Sequence, residues 1–339
     1  MQLNPIARRR FNFLLLLLLT ITLSLAFISV NAQTPQSLSV IAFPGTGNWP
    51  IRLAQDKGYF AQTGLEVTLT PTPSSVFQIT RFAQGDFDIA MTAVDNVIAY
   101  VEGQGEVPLL QPADFVVFMG GAPSIPSLTT VPEITDYQDL KSKTLAVDAM
   151  TTGYAFVLFD LLRRHGVTRA EYNVESLGGT TARWQAMQER KVAATILTSP
   201  FDLMAARDGF RVLDYAKDVY GHYEQSVATT RRAWAANNGT KLIAFVKGYV
   251  AAVEWLRNPS NREEAITTIG KYFPQLPADL ALALYENFVG TRGIAAKAQI
   301  DMAGVRKVLE LRNEYGNPKK SLTDPARYYD PQYYEAAVH

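Results

Sequence analysis

The stretch that decides the fold covers residues 39–96 and reads SVIAFPGTGNWPIRLAQDKGYFAQTGLEVTLTPTPSSVFQITRFAQGDFDIAMTAVDN. Short apolar or alternating segments typical of strands alternate with segments that have the apolar spacing of helices. Pro50 suits a first helical turn, and Gly64 stands where a helix commonly ends. The predicted elements are strand Ser39–Phe43, helix Ile51–Thr63, strand Leu65–Thr70, a helix through Phe77, Ile79 and Phe82, and a strand ending at Met91.

Three polar turns follow these three strands, at Gly45–Trp49, Thr72–Ser75 and Thr92–Asn96. In an open α/β sheet, ligands bind beyond the carboxyl ends of the strands. Each turn leads into a helix whose first N–H groups are free to face a ligand. The pattern predicts a cleft at this edge, although each turn taken alone also fits an ordinary capped connection.

A second series of strands and helices follows between residues 144 and 215. Polar turns at Ala149–Tyr154, Gly178–Thr181 and Thr198–Asp202 lead from its strands into helices. Two such series that face each other predict an α/β protein with two lobes. The predicted strands are Thr144–Asp148, Tyr172–Leu177, Val192–Leu197 and Arg211–Tyr215.

Three motifs carry a family resemblance: GYF at 58–60, GLEV at 64–67 and GDFDIA at 85–90. They resemble the pattern of ABC-transporter periplasmic substrate-binding proteins in the group that binds sulfonates, nitrate and thiamine precursors. The resemblance covers most of the chain after the leader, and its motifs are more specific for the fold than for the ligand. It implies a type II periplasmic-binding-protein fold, with two α/β lobes joined by two crossovers. The expected bounds are 36–124 and 226–339 for lobe 1, and 125–225 for lobe 2.

Residues 1–32 are predicted to be a cleaved secretory signal. Arg8–Arg10 form a basic start, Phe13–Phe27 is almost wholly apolar, and Val30-Asn31-Ala32 is a small-residue cleavage site. The alternative is a retained membrane anchor, but the apolar run is shorter than the ~20 residues that a spanning helix needs. The leader leaves open whether export uses the general secretory or the twin-arginine route.

Composition limits the class of protein further. The chain has no cysteine, so it lacks both disulfides and a lipid-anchored cysteine, and a soluble periplasmic protein is the expected form. Without the three leader arginines, 29 basic residues face 32 acidic ones. This mild balance predicts neither a nucleic-acid partner nor a polybasic membrane surface.

Signals for catalysis are absent from the sequence. Three histidines and no cysteine leave little for a zinc site, and neither a nucleophile elbow nor a phosphate-binding loop is present. One branch of the resembling family is a thiamine-pyrimidine synthase that depends on a cysteine-rich stretch, which this chain lacks. We therefore expect a protein that is not an enzyme and has no cofactor and no metal.

Candidate ligand-binding residues lie in the turns where the resemblance places the family's ligand contacts. Trp49 and Tyr154 are expected to enclose a flat or apolar part of the ligand, and the alternative for both is packing in the core. The candidates are Asn48, Trp49, Ser74, Ser75, Asp95 and Asn96 from the first lobe, and Met150, Thr151, Thr152, Tyr154, Thr180 and Phe201 from the second.

The charge of the ligand stays open at this stage. Hydroxyl groups and helix N–H groups at the turns favour an anion such as a sulfonate or carboxylate. Asp95 favours a cation or an amine, such as a pyrimidine amine. Arg183 would support an anion if it faces the cleft, but it also fits a helix surface. His222 is interpreted as a polar residue of the hinge region.

The predicted function is capture of a small organic molecule, such as a sulfonate, nitrate or carboxylate, or a pyrimidine. The expected partners are that ligand and, on other chains, an ABC permease and an ATPase, with the protein itself a monomer. The alternatives are a binding protein that serves a sensory receptor and an enzyme on the same fold.

Overall fold

The computed structural model describes residues 34–122, 125–291 and 293–339. The predicted signal, residues 1–32, lies outside this range. Residues Gln36–His339 form one compact unit that contains two five-stranded sheets. In the described part of the chain, no helix combines the length and apolar character needed to cross a membrane.

The strands are β1 Gln36–Ala42, β2 Leu65–Pro71, β3 Ile89–Ala93, β4 Phe115–Gly120, β5 Ser127–Thr130, β6 Thr144–Val147, β7 Asn173–Ser176, β8 Ala194–Leu197, β9 Arg211–Tyr215 and β10 Ser226–Arg231. The α-helices are α1 Trp49–Asp56, α2 Tyr59–Gln62, α3 Ser75–Ala83, α4 Val94–Val101, α5 Gly153–Arg164, α6 Thr180–Gln188, α7 Phe201–Arg207, α8 Ala216–Tyr220, α9 Arg232–Arg257, α10 Arg262–Tyr272, α11 Ala281–Val289, α12 Met302–Tyr315 and α13 Gln332–Val338.

The two sheets share one topology. The first has the order β2-β1-β3-β10-β4, and the second has the order β7-β6-β8-β5-β9. In each sheet the first three strands are parallel, and the fourth runs antiparallel to both of its neighbours. The predicted two-lobed α/β class is thus confirmed. The lobe bounds at residues 125 and 225 stay a prediction, with β5 and β10 next to them.

Alternation along the strands buries both faces of the first sheet. Successive residues of a strand point to opposite faces, and Val40 and Ile41 of β1 lie in two different hydrophobic clusters. The cluster around Val40 includes residues of α9 and the tail residues Tyr333 and Tyr334. The C-terminal segment therefore packs on the first sheet.

Two elements differ from the sequence prediction. The helix predicted over Ile51–Thr63 is two helices, because Gly58 adopts φ 72°, a left-handed conformation that ends α1 before α2 begins. Strand β5, which lies just after the proline-rich segment at 123–126, was not predicted. It pairs with both β8 and β9, so its contacts come from residues far along the chain.

Helix α12 contacts the cores of both sheets. Val305 and Val308 pack in the cluster that covers one face of the first sheet. Leu311 packs in the cluster of the second sheet, which also contains Phe156 and Leu161 of α5. One helix near the C-terminus therefore joins the two halves of the unit.

Candidate functional site

A cavity of about 70 Å³ lies where turns of the two sheets meet. Its wall includes residues from the turns after β1 and β3, from those after β6 and β8, and from the segment before β10. At the roughly 30 Å³ that a water molecule occupies in the liquid, this volume has room for about two water molecules. Because the carboxyl ends of strands from both sheets border it, this cavity is the candidate binding site.

Five of the twelve candidate residues line this cavity: Asn48, Asn96, Thr152, Tyr154 and Thr180. The side chain of Asn48 makes no cap hydrogen bond to α1 and instead donates to the carbonyl oxygen of Phe43 at 2.8 Å. The amide of Asn96 donates to Thr92 Oγ1 at 3.0 Å, and the hydroxyl of Thr152 donates to the Ala149 carbonyl at 2.9 Å. These contacts hold the polar side chains in place around the cavity.

The structure places Trp49 outside the cavity, so the expected enclosure of a ligand between Trp49 and Tyr154 is not formed. Its side chain is fully buried, and the indole N–H donates to Thr268 Oγ1 at 2.9 Å. The ring packs edge-on against Phe288, with centroids 5.0 Å apart. The residue lies at the first position of α1, and that position turns the ring into the core.

Asp95 also points away from the cavity and into a buried ion pair. Its carboxylate accepts from Nε and Nη2 of Arg312 at 2.8 and 2.6 Å, and both side chains are at most 2% exposed. Arg312 Nη2 also donates to the carbonyl oxygen of Thr151 at 2.8 Å. A carboxylate paired in this way is not available to a cationic ligand, so Asp95 no longer argues for one.

The five other candidates also lie outside the cavity wall. Ser74 caps α3 by accepting from the backbone N–H of Phe77. Thr151 donates twice to the Glu106 carboxylate, at 3.0 and 2.8 Å. The backbone N–H of Ser75 donates to Asp148. Met150 packs against the core of the second sheet, and Phe201 packs against a cluster on the other face of that sheet.

Arg183 lines the cavity and is fully buried, which settles its position. Its Nε donates to Gly178 O, and its Nη2 donates to Thr180 Oγ1. Its Nη1 donates to Thr195 Oγ1 and to the carbonyl oxygen of Ile196. Burial lowers the pKa of the Arg183 guanidinium. Four of its five N–H groups are thus engaged by the protein, which leaves one.

Sequence reasoning missed several residues of the cavity wall, including Asp148, Ser199, Tyr223 and Gln225. Gln225 donates to the hydroxyl of Tyr154 at 2.7 Å and so joins the segment before β10 to α5. Asp148 directly follows β6, the position where ligand-binding residues of α/β sheets collect. That position could have identified Asp148, whereas Gln225 has no comparable signal in the sequence.

Direct hydrogen bonds join the turns of the first sheet to those of the second around the cavity. The backbone N–H of Ser75 donates to Asp148 Oδ2 at 3.2 Å, and the N–H of Gly179 donates to Pro73 O at 3.0 Å. A Cβ on Gly179 would lie 2.6 Å from Pro73 O, so this approach requires glycine. The arrangement is therefore a closed one, in which the two sets of turns touch.

A second cavity, of about 260 Å³, adjoins the first at Ser199. Its apolar wall includes Ile125, Leu203 and Phe288. Asp202 is its buried acidic residue and accepts from the Ser199 hydroxyl at 3.0 Å, and burial raises the pKa of this carboxyl. The pair Ser199–Asp202 fixes the wall between the two cavities.

The crossover before β10 contains a carboxyl that titrates abnormally. Burial, with the nearby Asp301 carboxylate, raises the pKa of Glu224 to about 8. The carboxyl accepts from the backbone N–H of Asp301 at 2.7 Å, and Lys217 partly opposes the shift. His222 lies in the same segment, with its Nδ1 2.9 Å from Asp301 Oδ2, and it is not part of the cavity wall; its place in a hinge stays a prediction.

This carboxyl predicts a pH dependence of stability. Between its unfolded pKa of about 4.5 and its folded pKa of about 8, Glu224 keeps a proton that the unfolded chain has lost. Its contribution to the free energy of unfolding therefore falls as pH rises through this range. We expect Glu224→Gln to flatten that decline in urea denaturation. Glu66→Gln, at an exposed position of β2, should leave it unchanged, and an unaltered slope in Glu224→Gln would contradict the assignment.

The sequence profile of one known family matches residues 31–270, which is more than half of the chain. The chain belongs to the NMT1-like family. A search of curated proteins found no match.

Solved structures give the same fold at low sequence identity. The periplasmic nitrate-binding protein NrtA from Synechocystis is 11% identical, with a TM-score of 0.76 over 91% of this chain and 89% of that one. The alkanesulfonate-binding protein SsuA from Xanthomonas axonopodis, bound to MOPS, is 16% identical, with a TM-score of 0.69 over 88% and 100%. A ligand-binding component of an ABC-type import system from Staphylococcus aureus is 12% identical, with a TM-score of 0.69 over 89% and 99%. This NMT1-like protein therefore has the periplasmic-binding-protein fold.

Proposed function

We propose that this protein captures a small organic solute between its two lobes in the periplasm and delivers it to an ABC importer. The observation that carries the proposal is the cavity bordered by turns from both sheets. The predicted secretory leader and the periplasmic proteins of the same fold support the location.

The mechanism follows from the position of the cavity. Hydrogen bonds such as Gly179 N–H to Pro73 O form between turns of the two sheets, so closing the lobes removes a bound solute from water. Hinged closure of this kind also creates a shape that a partner can recognise. The proposed partners are a membrane permease and an ATPase on other chains, and the protein acts as a monomer.

The role proposed is binding without catalysis. Among the described residues of the cavity wall there is neither a histidine nor a cysteine. The hydroxyl of Ser199 donates to the Asp202 carboxylate, which lines the adjoining cavity, and no histidine among the described wall residues contacts it.

A cavity-filling variant tests the site directly. Gly47 lines the cavity and a Cβ added to it meets no atom within 4 Å, so the backbone accepts a side chain there, and Gly47→Phe is designed to occupy the cavity. We expect it to abolish the stabilisation that a bound solute gives, about 2.7 kcal/mol in the free energy of unfolding at 100 times the dissociation constant, and with it the rise in melting temperature. Screening sulfonates, nitrate, carboxylates and pyrimidines against both proteins measures this.

The matched control is Gly270→Phe in α10, where an added Cβ also meets no atom within 4 Å and the residue does not line the cavity. This variant should keep the solute-induced shift. Equal shifts in the native protein and in Gly47→Phe would place the bound solute elsewhere and reject the proposed function.

A further inference from the structure

Asp148 has an unusual environment for a buried carboxylate. The residue is only 8% exposed and lines the cavity. Its Oδ2 accepts one hydrogen bond, from the backbone N–H of Ser75 at 3.2 Å, and its buried Oδ1 has no hydrogen-bond partner among the described residues. An ionised carboxylate has about four acceptor positions, and leaving them empty away from water is costly.

The cation that shares the cavity does not satisfy this carboxylate. Arg183 is fully buried, yet among the described residues no ion pair within 4.0 Å joins it to Asp148. Its N–H groups are directed to Gly178, Thr180, Thr195 and Ile196. Arg183 therefore compensates the charge of Asp148 from a distance and donates no hydrogen bond to the Asp148 carboxylate.

A second acceptor on the same wall is also without a donor. Gln225 uses its amide N–H₂ toward the Tyr154 hydroxyl at 2.7 Å, while its buried Oε1 has no hydrogen-bond partner in the described part of the chain. Both unpaired oxygen atoms belong to residues that line one cavity. Buried polar groups of native proteins are nearly always paired, so two such acceptors at one site call for donors from outside the protein.

We propose that the captured solute carries an amine or amidine group whose N–H bonds donate to the Asp148 carboxylate and to Gln225. This inference rests on the proposed function and names its class of solute. Nitrate and unsubstituted sulfonates or carboxylates have only acceptor oxygens when ionised. They would place these oxygens against the carboxylate oxygens of Asp148, with no hydrogen to share between them. The remaining N–H of Arg183 serves an acceptor group elsewhere on the solute.

Matched pairs of probes test this inference, because the members of each pair differ by the amine. Suitable pairs are taurine with ethanesulfonate, glycine with acetate, and aminopyrimidine with pyrimidine, together with nitrate. In thermal-shift and calorimetric titrations of the full protein, we expect binding by an amine-bearing probe and none by its amine-free partner.

Asp148→Asn supplies the decisive variant. The asparagine can keep its oxygen toward the N–H of Ser75 and then presents N–H₂, a donor, where the carboxylate oxygen was. Losing a charged acceptor should lower the affinity for an amine-bearing probe about ten- to hundredfold. The same change should improve binding of the amine-free anion. Asp279→Asn, at a side chain that is 64% exposed, is the matched control and should change neither affinity.

The outcomes separate this inference from the function on which it rests. The inference is rejected if no amine-bearing probe binds, if the amine-free member of a pair binds as tightly as its partner, or if Asp148→Asn leaves the preference unchanged while its unliganded melting curve shows a folded protein. If amine-free probes bind and Gly47→Phe removes that binding, solute capture stands without the amine. A probe that binds Gly47→Phe as well as the native protein argues against the proposed function itself.

Discussion

Replacing Arg312 by methionine is expected to lower the free energy of unfolding by about 3–5 kcal/mol. The variant would leave Asp95, which is 2% exposed, as a buried charge without its partner. It would also remove the hydrogen bond from Arg312 to the carbonyl oxygen of Thr151. Urea denaturation of the native and variant proteins at neutral pH measures the difference.

Two further variants show whether the unpaired charge of Asp95 causes the loss of stability in Arg312→Met. Arg81→Met breaks an ion pair with Asp86 whose side chains are 51% and 35% exposed, and such surface pairs contribute at most about 1 kcal/mol. Adding Asp95→Leu to Arg312→Met removes the stranded carboxylate, so the double variant should recover part of the lost stability. A double variant less stable than Arg312→Met would contradict this explanation.

Replacing Trp49 by alanine is expected to destabilise the protein by about 3–5 kcal/mol while leaving the solute site intact. The indole is fully buried, packs against Phe288 and Tyr285, and is not part of the cavity wall. The free energy of unfolding and the affinity for a solute therefore separate in this variant. Denaturation and calorimetry, the latter well below the melting temperature, measure the two quantities.

Trp49→Phe is the milder companion, because it keeps an aromatic ring and loses the hydrogen bond to Thr268. This variant should remain folded over a wide range of temperature and should bind solute with the affinity of the native protein. A folded Trp49→Phe protein that has lost solute binding would show that Trp49 contacts the solute after all, in a conformation different from this one.

The fold was predictable where local chemistry determines it. Residues 39–96 show their strands by alternation and their turns by glycine and proline, and β1, β2 and β3 lie where the pattern placed them. Strand β5, Ser127–Thr130, could not be predicted because its four residues are defined by partners in β8 and β9. The split between α1 and α2 depends on the backbone of Gly58, which can continue or interrupt a helix.

The direction of each side chain explains why only some of the predicted site residues line the cavity. The turns were placed well, and Asn48, Thr152 and Tyr154 line the cavity. Neighbours of these residues turn the other way: Trp49 goes into the core, and Asp95 goes to Arg312. Since Arg312 lies far along the chain on α12, no local pattern could show that Asp95 was already paired.

The two sheets differ in how far apart their strands lie along the chain. All five strands of the second sheet fall within residues 127–215, whereas the first sheet has β10 between β3 and β4 and is covered by α9 and the tail. A chain made from its N-terminus therefore supplies the whole of the second sheet while the first still lacks β10, its fourth strand in spatial order. Until β10 is made, the edges of β3 and β4 that pair with it are unpaired, and unpaired strand edges are prone to aggregate.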